Sequence, residues 1–129
     1  KANTNDTRES PAIYICRKLL EEGALLNIYD PKVSSAQISK DLNSSNNQKL
    51  NQNWLFSNSL EDAFINVDAA LFLTEWNEFQ SLDWCNLSKL MRKPAWVFDT
   101  RSIVNIKDAQ KYGIRVWQVG YGNLKKDNL

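Results

Sequence analysis

The sequence contains no histidine among its 129 residues, and this absence narrows the chemistry that we expect of it. Ser-His and Cys-His nucleophilic catalysis both need an imidazole base, and most zinc sites need imidazole ligands. Cysteine is also scarce, since Cys16 and Cys85 are the only two. Two cysteines do not form a disulfide framework and are compatible with a reducing compartment. We therefore expect a cytoplasmic protein without a metal site.

An excess of charge and a long apolar run are absent as well. Sixteen basic residues oppose fifteen acidic ones, giving a net charge of +1, whereas nucleic-acid binding requires a concentrated basic excess. No apolar run approaches the roughly 20 residues of a membrane span, and no signal peptide begins the sequence. We expect no nucleic-acid and no membrane partner. The length and the 43% hydrophobic content suit one globular domain with a sizeable core.

Five short segments are predicted to be β-strands, namely 25–29, 54–56, 69–74, 95–99 and 114–119. The segments 69–74 and 95–99 are apolar up to their last residue, which is typical of strands buried on both faces of a sheet. Predicted helices alternate with the strands, so the pattern indicates an α/β fold with a Rossmann-like, doubly wound parallel sheet. Residues 1–119 form the predicted domain, and 120–129 a polar tail.

Capping residues mark the predicted helices. Ser10 followed by Pro11 predicts the start of the first helix, and Gly23 predicts its end. Further helices are predicted over 33–42, 60–67, 83–91 and 105–112, with a helical or turn-like segment over 75–82. The Asn-rich segment 43–53 is predicted to be a surface loop.

The first predicted element is a helix, although a doubly wound sheet would begin with a strand. In the common strand order, that first strand is central and lies between the strands at 25–29 and 69–74. We therefore expect the first strand to be truncated, with most of it upstream of Lys1.

Ligands of open parallel sheets bind beyond the carboxyl ends of the strands, which directs attention to Arg101. It follows the predicted strand 95–99. Its guanidinium could bind a phosphate through two nitrogen atoms, or it could simply pair with Asp99 on the surface, and spacing alone favours the pair. Glu75 and Asp83 are more typical of a solvated face than of an acid/base pair, and core packing is the default for Trp76, Phe79 and Trp84.

The start of the first helix is a second candidate for anion binding. Its free N–H groups, with Arg8 just before them and Lys1 further upstream, could bind an anion. An ordinary capped helix after a solvated loop is an equally good interpretation. The loop lacks the Gly-x-Gly-x-x-Gly pattern that a dinucleotide pyrophosphate requires, and Asp30 before Pro31 is more typical of a turn than of a ribose ligand.

Four motifs occur in order and at matching spacings over residues 1–119. They are KANTNDTRESPA at 1–12, IYDP at 28–31, LTEWNEF at 73–79 and PAWVFDTR at 94–101. Together they resemble the C-terminal, UDP-binding domain of the UDP-glucose 6-dehydrogenase family. The resemblance implies NAD-dependent oxidation of UDP-glucose to UDP-glucuronate by a homo-oligomeric enzyme.

The resemblance also implies roles for three cations. Lys1 and Arg101 match residues that contact the nucleotide sugar, and Arg8 matches an arginine that reaches NAD. Thr100 stands where the family usually has glycine. The NAD domain and the catalytic cysteine of the family lie upstream, so the resemblance implies that this segment contains no catalytic residue and is inactive alone.

Two alternatives remain open at this point. The enzyme could act on another nucleotide sugar, either GDP-mannose or a UDP-N-acetyl sugar. The domain could instead be a non-catalytic binding module of Rossmann-like shape.

Overall fold

A computed structural model describes residues 10–43, 53–120 and 122–124 of the chain. The chain divides into two units, residues 1–63 and 64–129. The elements of the first unit are α1 (Pro11–Glu21), β1 (Leu26–Ile28), α2 (Ser35–Leu42), β2 (Trp54–Phe56) and α3 (Leu60–Phe64), which ends in the second unit. The second unit then contains β3 (Ala69–Phe72), a 3₁₀ helix (Asn77–Ser81), α4 (Trp84–Leu90), β4 (Trp96–Asp99), α5 (Ile106–Lys111), β5 (Arg115–Gln118) and β6 (Gly122–Leu124).

In the first unit, β1 and β2 form a parallel pair. Leu26 is opposite Trp54, and Ile28 is opposite Phe56. Their side chains pack with α1 and α2 around a buried apolar cluster, which contains Leu20, Val33, Ile38 and Leu42. The predicted start of α1 is confirmed, because the Ser10 hydroxyl oxygen accepts a hydrogen bond from the Ala12 N–H at 3.1 Å.

In the second unit, β3, β4 and β5 form a parallel sheet in that order. Phe72, Asp99 and Gln118 are the last residues of these three strands and are in register. Side chains alternate across the sheet. On β4 and β5 the buried positions are Val97, Asp99, Val116 and Gln118.

Aromatic side chains form a cluster in the core of the second unit. The rings of Phe72 and Phe79 stack with centroids 5.2 Å apart, and Trp84 lies 6.1 Å from Phe72. Trp76 is buried too. The expectation that Trp76, Phe79 and Trp84 are core residues is therefore confirmed, and the cluster fixes the end of β3.

The alternation of helices with parallel strands confirms the predicted α/β class. All five predicted strands are present, β2 with the predicted bounds and the other four slightly shorter. Over the described ranges they belong to two sheets. Helix α3 is shorter than predicted because Asn66 has a φ of +59° after it. The truncated first strand and most of the loop 43–53 lie outside the described residues, so those two expectations stay predictions.

The sequence analysis missed one strand. β6 lies in the segment predicted to be a polar tail and pairs antiparallel with β5, with Gly122 opposite Gln118. Gly120, with a φ of +88°, provides the left-handed backbone that reverses the chain between them. A polar segment without alternating apolar residues gives no periodic signal, which explains the omission.

We expect Gly113→Ala to lower the free energy of unfolding by about 1 kcal/mol. Gly113 ends α5 with a φ of +86°, and its N–H donates to the Gln110 carbonyl at 3.0 Å. An added Cβ would meet no atom within 4 Å, so the loss is purely conformational. Urea denaturation measures it, and Gly113→Asn should lose less because asparagine tolerates this conformation better. Equal stability of the alanine variant and the native chain would contradict the assignment.

Candidate functional site

The carboxyl ends of β3, β4 and β5 meet at one edge of the second sheet, because the strands are parallel and in register. Such an edge is where open α/β sheets bind ligands. The segment that follows β4 begins at Asp99 and continues to Val104, and it is hereafter called the Asp99 loop. Its conformation determines what the edge presents to a ligand.

Asp99 is fully buried and organises this loop. Its Oδ1 accepts a hydrogen bond from the backbone N–H of Arg101 at 3.0 Å. Its Oδ2 accepts from the backbone N–H groups of Ile103 and Val104, each at 2.9 Å, and from the Gln118 side-chain amide at 3.1 Å. Burying a carboxylate is costly unless donors surround it, and these four donors together fix the loop against β5.

The other side of the Asp99 loop is attached to β3. The Thr100 hydroxyl donates to the Phe72 carbonyl at 2.7 Å, and the Thr100 N–H donates to the same oxygen at 3.2 Å. Ser102 then adopts a φ of +56°, a left-handed conformation that costs a non-glycine residue about 1 kcal/mol. The backbone on both sides of Arg101 is therefore held by specific contacts.

The Arg101 side chain lies at the surface of this edge. Its Nη2 forms an ion pair with Oε1 of Glu75, and the two side chains are 37% and 47% exposed. Glu75 comes three residues after β3. An ion pair with this exposure contributes between 0 and about 1 kcal/mol, so an anionic ligand can displace Glu75 from the guanidinium at little cost.

Spacing alone favoured a surface ion pair between Arg101 and Asp99, and this expectation is wrong. The Asp99 carboxylate is buried and contacts the backbone of Arg101, while the Arg101 side chain pairs with Glu75. Asp99 faces inward because it alternates with Phe98 on β4 and shares its face with buried Val97.

Sequence reasoning missed Gln118, and it singled out Thr100 without predicting the contact of its hydroxyl. Gln118 contacts Asp99, and the Thr100 hydroxyl contacts Phe72. Gln118 did leave a signal, because it alternates with Trp117 and so shares the inward face of β5 with apolar Val116, and a buried polar residue requires a partner. The local sequence contains no corresponding signal for Thr100.

Lys1 and Arg8 lie outside the described residues, so their predicted contacts stay predictions. The first turn of α1 is described, and it borders a concavity lined by Ser10, Pro11, Ile13, Tyr14 and Arg17. The anion site predicted at this helix start also stays a prediction.

The remaining carboxylates of interest have local roles. Oδ1 of Asp30 accepts hydrogen bonds from the N–H groups of Lys32 and Val33 at 2.8 and 2.9 Å, which confirms its turn role. Asp83 caps α4 through the Asn86 N–H. Within the described ranges, no three acidic or thiol side chains lie close enough together to form a metal site, and no helix there is long and apolar enough to cross a membrane.

Both cysteines have free thiols. Cys16 packs against the apolar core between α1, α2 and the β1–β2 pair. Desolvation in this core raises the pKa of the Cys16 thiol from 9.0 to about 11. A thiol with this pKa is protonated at neutral pH and is a poor nucleophile.

These features define the class of protein before any comparison: an α/β domain with an arginine at the carboxyl ends of its parallel strands, where open α/β sheets bind ligands. The model of the UDP-glucose/GDP-mannose dehydrogenase family, UDP binding domain, matches residues 1–106. The chain therefore belongs to the UDP-glucose/GDP-mannose dehydrogenase family, in agreement with the motifs of its sequence.

Curated relatives agree with the family match. The chain is 40% identical over 124 residues to the UDP-glucose 6-dehydrogenase of Drosophila melanogaster, covering 93% of this chain and 26% of that protein. It is 37% identical to the enzyme of the same name from Caenorhabditis elegans, covering 100% and 27%. UDP-glucose 6-dehydrogenase 2 of Arabidopsis thaliana is 36% identical, covering 93% and 28%. The chain thus spans about a quarter of the length of these relatives.

We expect Asp99→Asn to lower the free energy of unfolding by about 2–3 kcal/mol, because an amide leaves one carboxylate oxygen's donors without an acceptor. The matched control is Asp68→Asn. The Asp68 side chain is 77% exposed, and its Oδ1 lies 3.6 Å from Nε of Arg92. That change should cost less than about 0.5 kcal/mol. Urea denaturation of both variants gives the comparison, and equal losses would contradict the role of Asp99.

We expect Cys16 to react slowly with iodoacetamide at pH 8 in a Cys85→Ser variant. A pKa of about 11 instead of 9.0 reduces the thiolate fraction about a hundredfold. The raised pKa contributes stability below pH 9, and this contribution is lost as the pH rises through 11. Mass spectrometry gives the rate, and unfolding in urea should restore normal reactivity. Equal rates in folded and unfolded protein would contradict the assignment.

Proposed function

We propose that the chain is the UDP-binding, C-terminal domain of an NAD-dependent UDP-glucose 6-dehydrogenase, which oxidises UDP-glucose to UDP-glucuronate. The observation that supports this most directly is the position of Arg101. It lies at the ligand-binding edge of the second sheet, on a loop that Asp99 and Thr100 hold in place. In this proposal Arg101 binds the substrate.

The chemistry of Arg101 suits an anionic nucleotide sugar. A guanidinium is planar, permanently charged and able to donate two parallel hydrogen bonds to a phosphate. Glu75 contacts the guanidinium at the surface, where the ion pair is weak enough for a diphosphate to compete. The rigid backbone on both sides of Arg101 reduces the entropy that binding must remove.

Lys1 and Arg8 complete the proposed site on the strength of their motifs. Lys1 would contact the nucleotide sugar, and Arg8 would reach NAD. Both lie before α1, which begins at Pro11. A lysine suits this role as a compact point charge, whereas an arginine can bind two oxygens at once.

The residues of this chain do not fit the task of binding the NAD pyrophosphate themselves. The chain has only four glycines, and none forms Gly-x-Gly-x-x-Gly. Gly120 and Gly122 have the spacing of the first two glycines of that pattern, but they lead into an antiparallel strand and not into a helix. We therefore assign NAD, which would accept hydride from the sugar, mainly to another domain of the enzyme.

The catalytic cysteine is likewise assigned to another part of the enzyme. Burial raises the pKa of Cys16 to about 11, and neither Cys16 nor Cys85 lies in a motif that matches the catalytic one. The segment is then inactive alone and contributes substrate binding. The proposal includes a cytoplasmic homo-oligomer, as the resemblance implies, and the two free thiols are compatible with a reducing compartment.

We expect Arg101→Gln to weaken UDP binding by the full-length protein at least tenfold, because a charged hydrogen bond is lost. The matched control is Arg115→Gln. Arg115 begins β5, at the opposite edge of the sheet, and stacks 5.8 Å from the Trp96 ring. Its substitution should change the dissociation constant less than twofold. Isothermal titration with UDP measures both, and undiminished binding by Arg101→Gln would contradict the site.

The substrate is tested by turnover of UDP-glucose, UDP-N-acetylglucosamine and GDP-mannose by the full-length protein. The family includes dehydrogenases of more than one nucleotide sugar by its description, while the relatives compared above have names that specify UDP-glucose. A higher kcat/KM for UDP-glucose supports the proposal. A higher value for either other sugar would overturn the substrate assignment.

A further inference from the structure

The Thr100 hydroxyl connects the two chain segments that carry the Arg101–Glu75 ion pair. It donates to the carbonyl of Phe72 at 2.7 Å. Phe72 is the last residue of β3 and is buried in the aromatic cluster, so its carbonyl is a fixed acceptor. Glu75 follows Phe72 by three residues, and Arg101 follows Thr100 directly.

The Asp99 carboxylate does not hold the side of the loop that faces β3, and Thr100 makes the contact there. Asp99 holds the backbone N–H groups of Arg101, Ile103 and Val104, all of which lie after Thr100. The Thr100 N–H also donates to Phe72, but at 3.2 Å, and that bond continues the strand ladder. The hydroxyl therefore supplies a contact to β3 that a residue without a donor could not supply.

The backbone at Thr100 does not require glycine. Asn66 and Ser102 are the non-glycine positions with positive φ within the described ranges, and Thr100 is not among them. Threonine has a stiff, β-branched side chain, so it restricts the backbone next to Arg101 without steric strain.

We propose that Thr100 is a positioning residue for Arg101: its hydroxyl holds the Asp99 loop against the end of β3, so that the guanidinium is oriented for an anionic nucleoside diphosphate before the ligand arrives. This inference rests on the proposed function. Loss of the hydroxyl leaves the charge in place and increases the freedom of the loop, which weakens binding without changing the chemistry that follows.

The experiment compares Thr100→Val, Thr100→Ser and Thr100→Gly in the full-length protein, with UDP as the titrated ligand. Valine has nearly the shape of threonine but no donor, whereas serine keeps the hydroxyl. We expect valine to weaken UDP binding about three- to tenfold, the effect of one neutral hydrogen bond, and serine to stay within twofold of the native protein. Glycine should bind at least as weakly as valine, and it serves as the test if the valine variant does not fold.

Kinetics separate positioning from simple stabilisation. We expect KM for UDP-glucose to rise with the loss of affinity in Thr100→Val, while kcat changes less than twofold and Thr100→Ser restores the native KM. Native affinity and KM in the valine variant, or in glycine if valine does not fold, would overturn the inference, whatever the change in thermal unfolding.

The experiments also distinguish an error in the proposed function from an error in the role of Thr100. If UDP does not bind the native protein, or if Arg101→Gln binds it normally, the site itself is wrong and Thr100 has nothing to position. If UDP binds and Arg101→Gln loses affinity while Thr100→Val does not, only the role of Thr100 is overturned.

Discussion

The buried carboxylate of Asp99 is the constraint on which the structure at the carboxyl ends of β3, β4 and β5 depends. A carboxylate removed from water is costly unless hydrogen-bond donors replace the lost solvation. Here three backbone N–H groups and the Gln118 amide do so. Because these donors must all reach two oxygens of one side chain, the backbone after β4 is restricted to a narrow range of conformations. It turns tightly, with Ser102 in a left-handed conformation, and leaves the Arg101 side chain at the surface.

The apolar core makes this polar arrangement possible. Packing of Phe72, Phe79 and Trp84 fixes the end of β3, which gives the Thr100 hydroxyl a rigid acceptor. The turn at Gly113 returns the chain from α5 into β5, and the register of β5 then brings Gln118 opposite Asp99. The parallel strands and the dense packing thus determine the positions of the side chains at this edge, and loop residues alone could not do so.

The exposed Arg101–Glu75 pair gives this edge its chemical character. Exposed ion pairs are weak, so in the proposed function Glu75 orients the guanidinium without competing strongly against a diphosphate. The matched family model describes a UDP binding domain, and in the proposed function Arg101 is ordered before UDP binds and remains accessible to it. Membership in this family agrees with the chemistry of the edge, and the matched residues include the Asp99 loop.

By itself, the sequence determined the features that depend on neighbouring residues. The alternation of predicted strands and helices predicted the α/β class, and Ser10 predicted the start of α1 because a cap bonds within three positions. Its four motifs also predicted the family. Only the tertiary structure decided that Glu75 is the partner of Arg101, that Gln118 contacts Asp99, and that β6 pairs with β5. The first two contacts join residues 26 and 19 positions apart. Such contacts follow from strand register and turn geometry, which bring together residues that no local pattern relates.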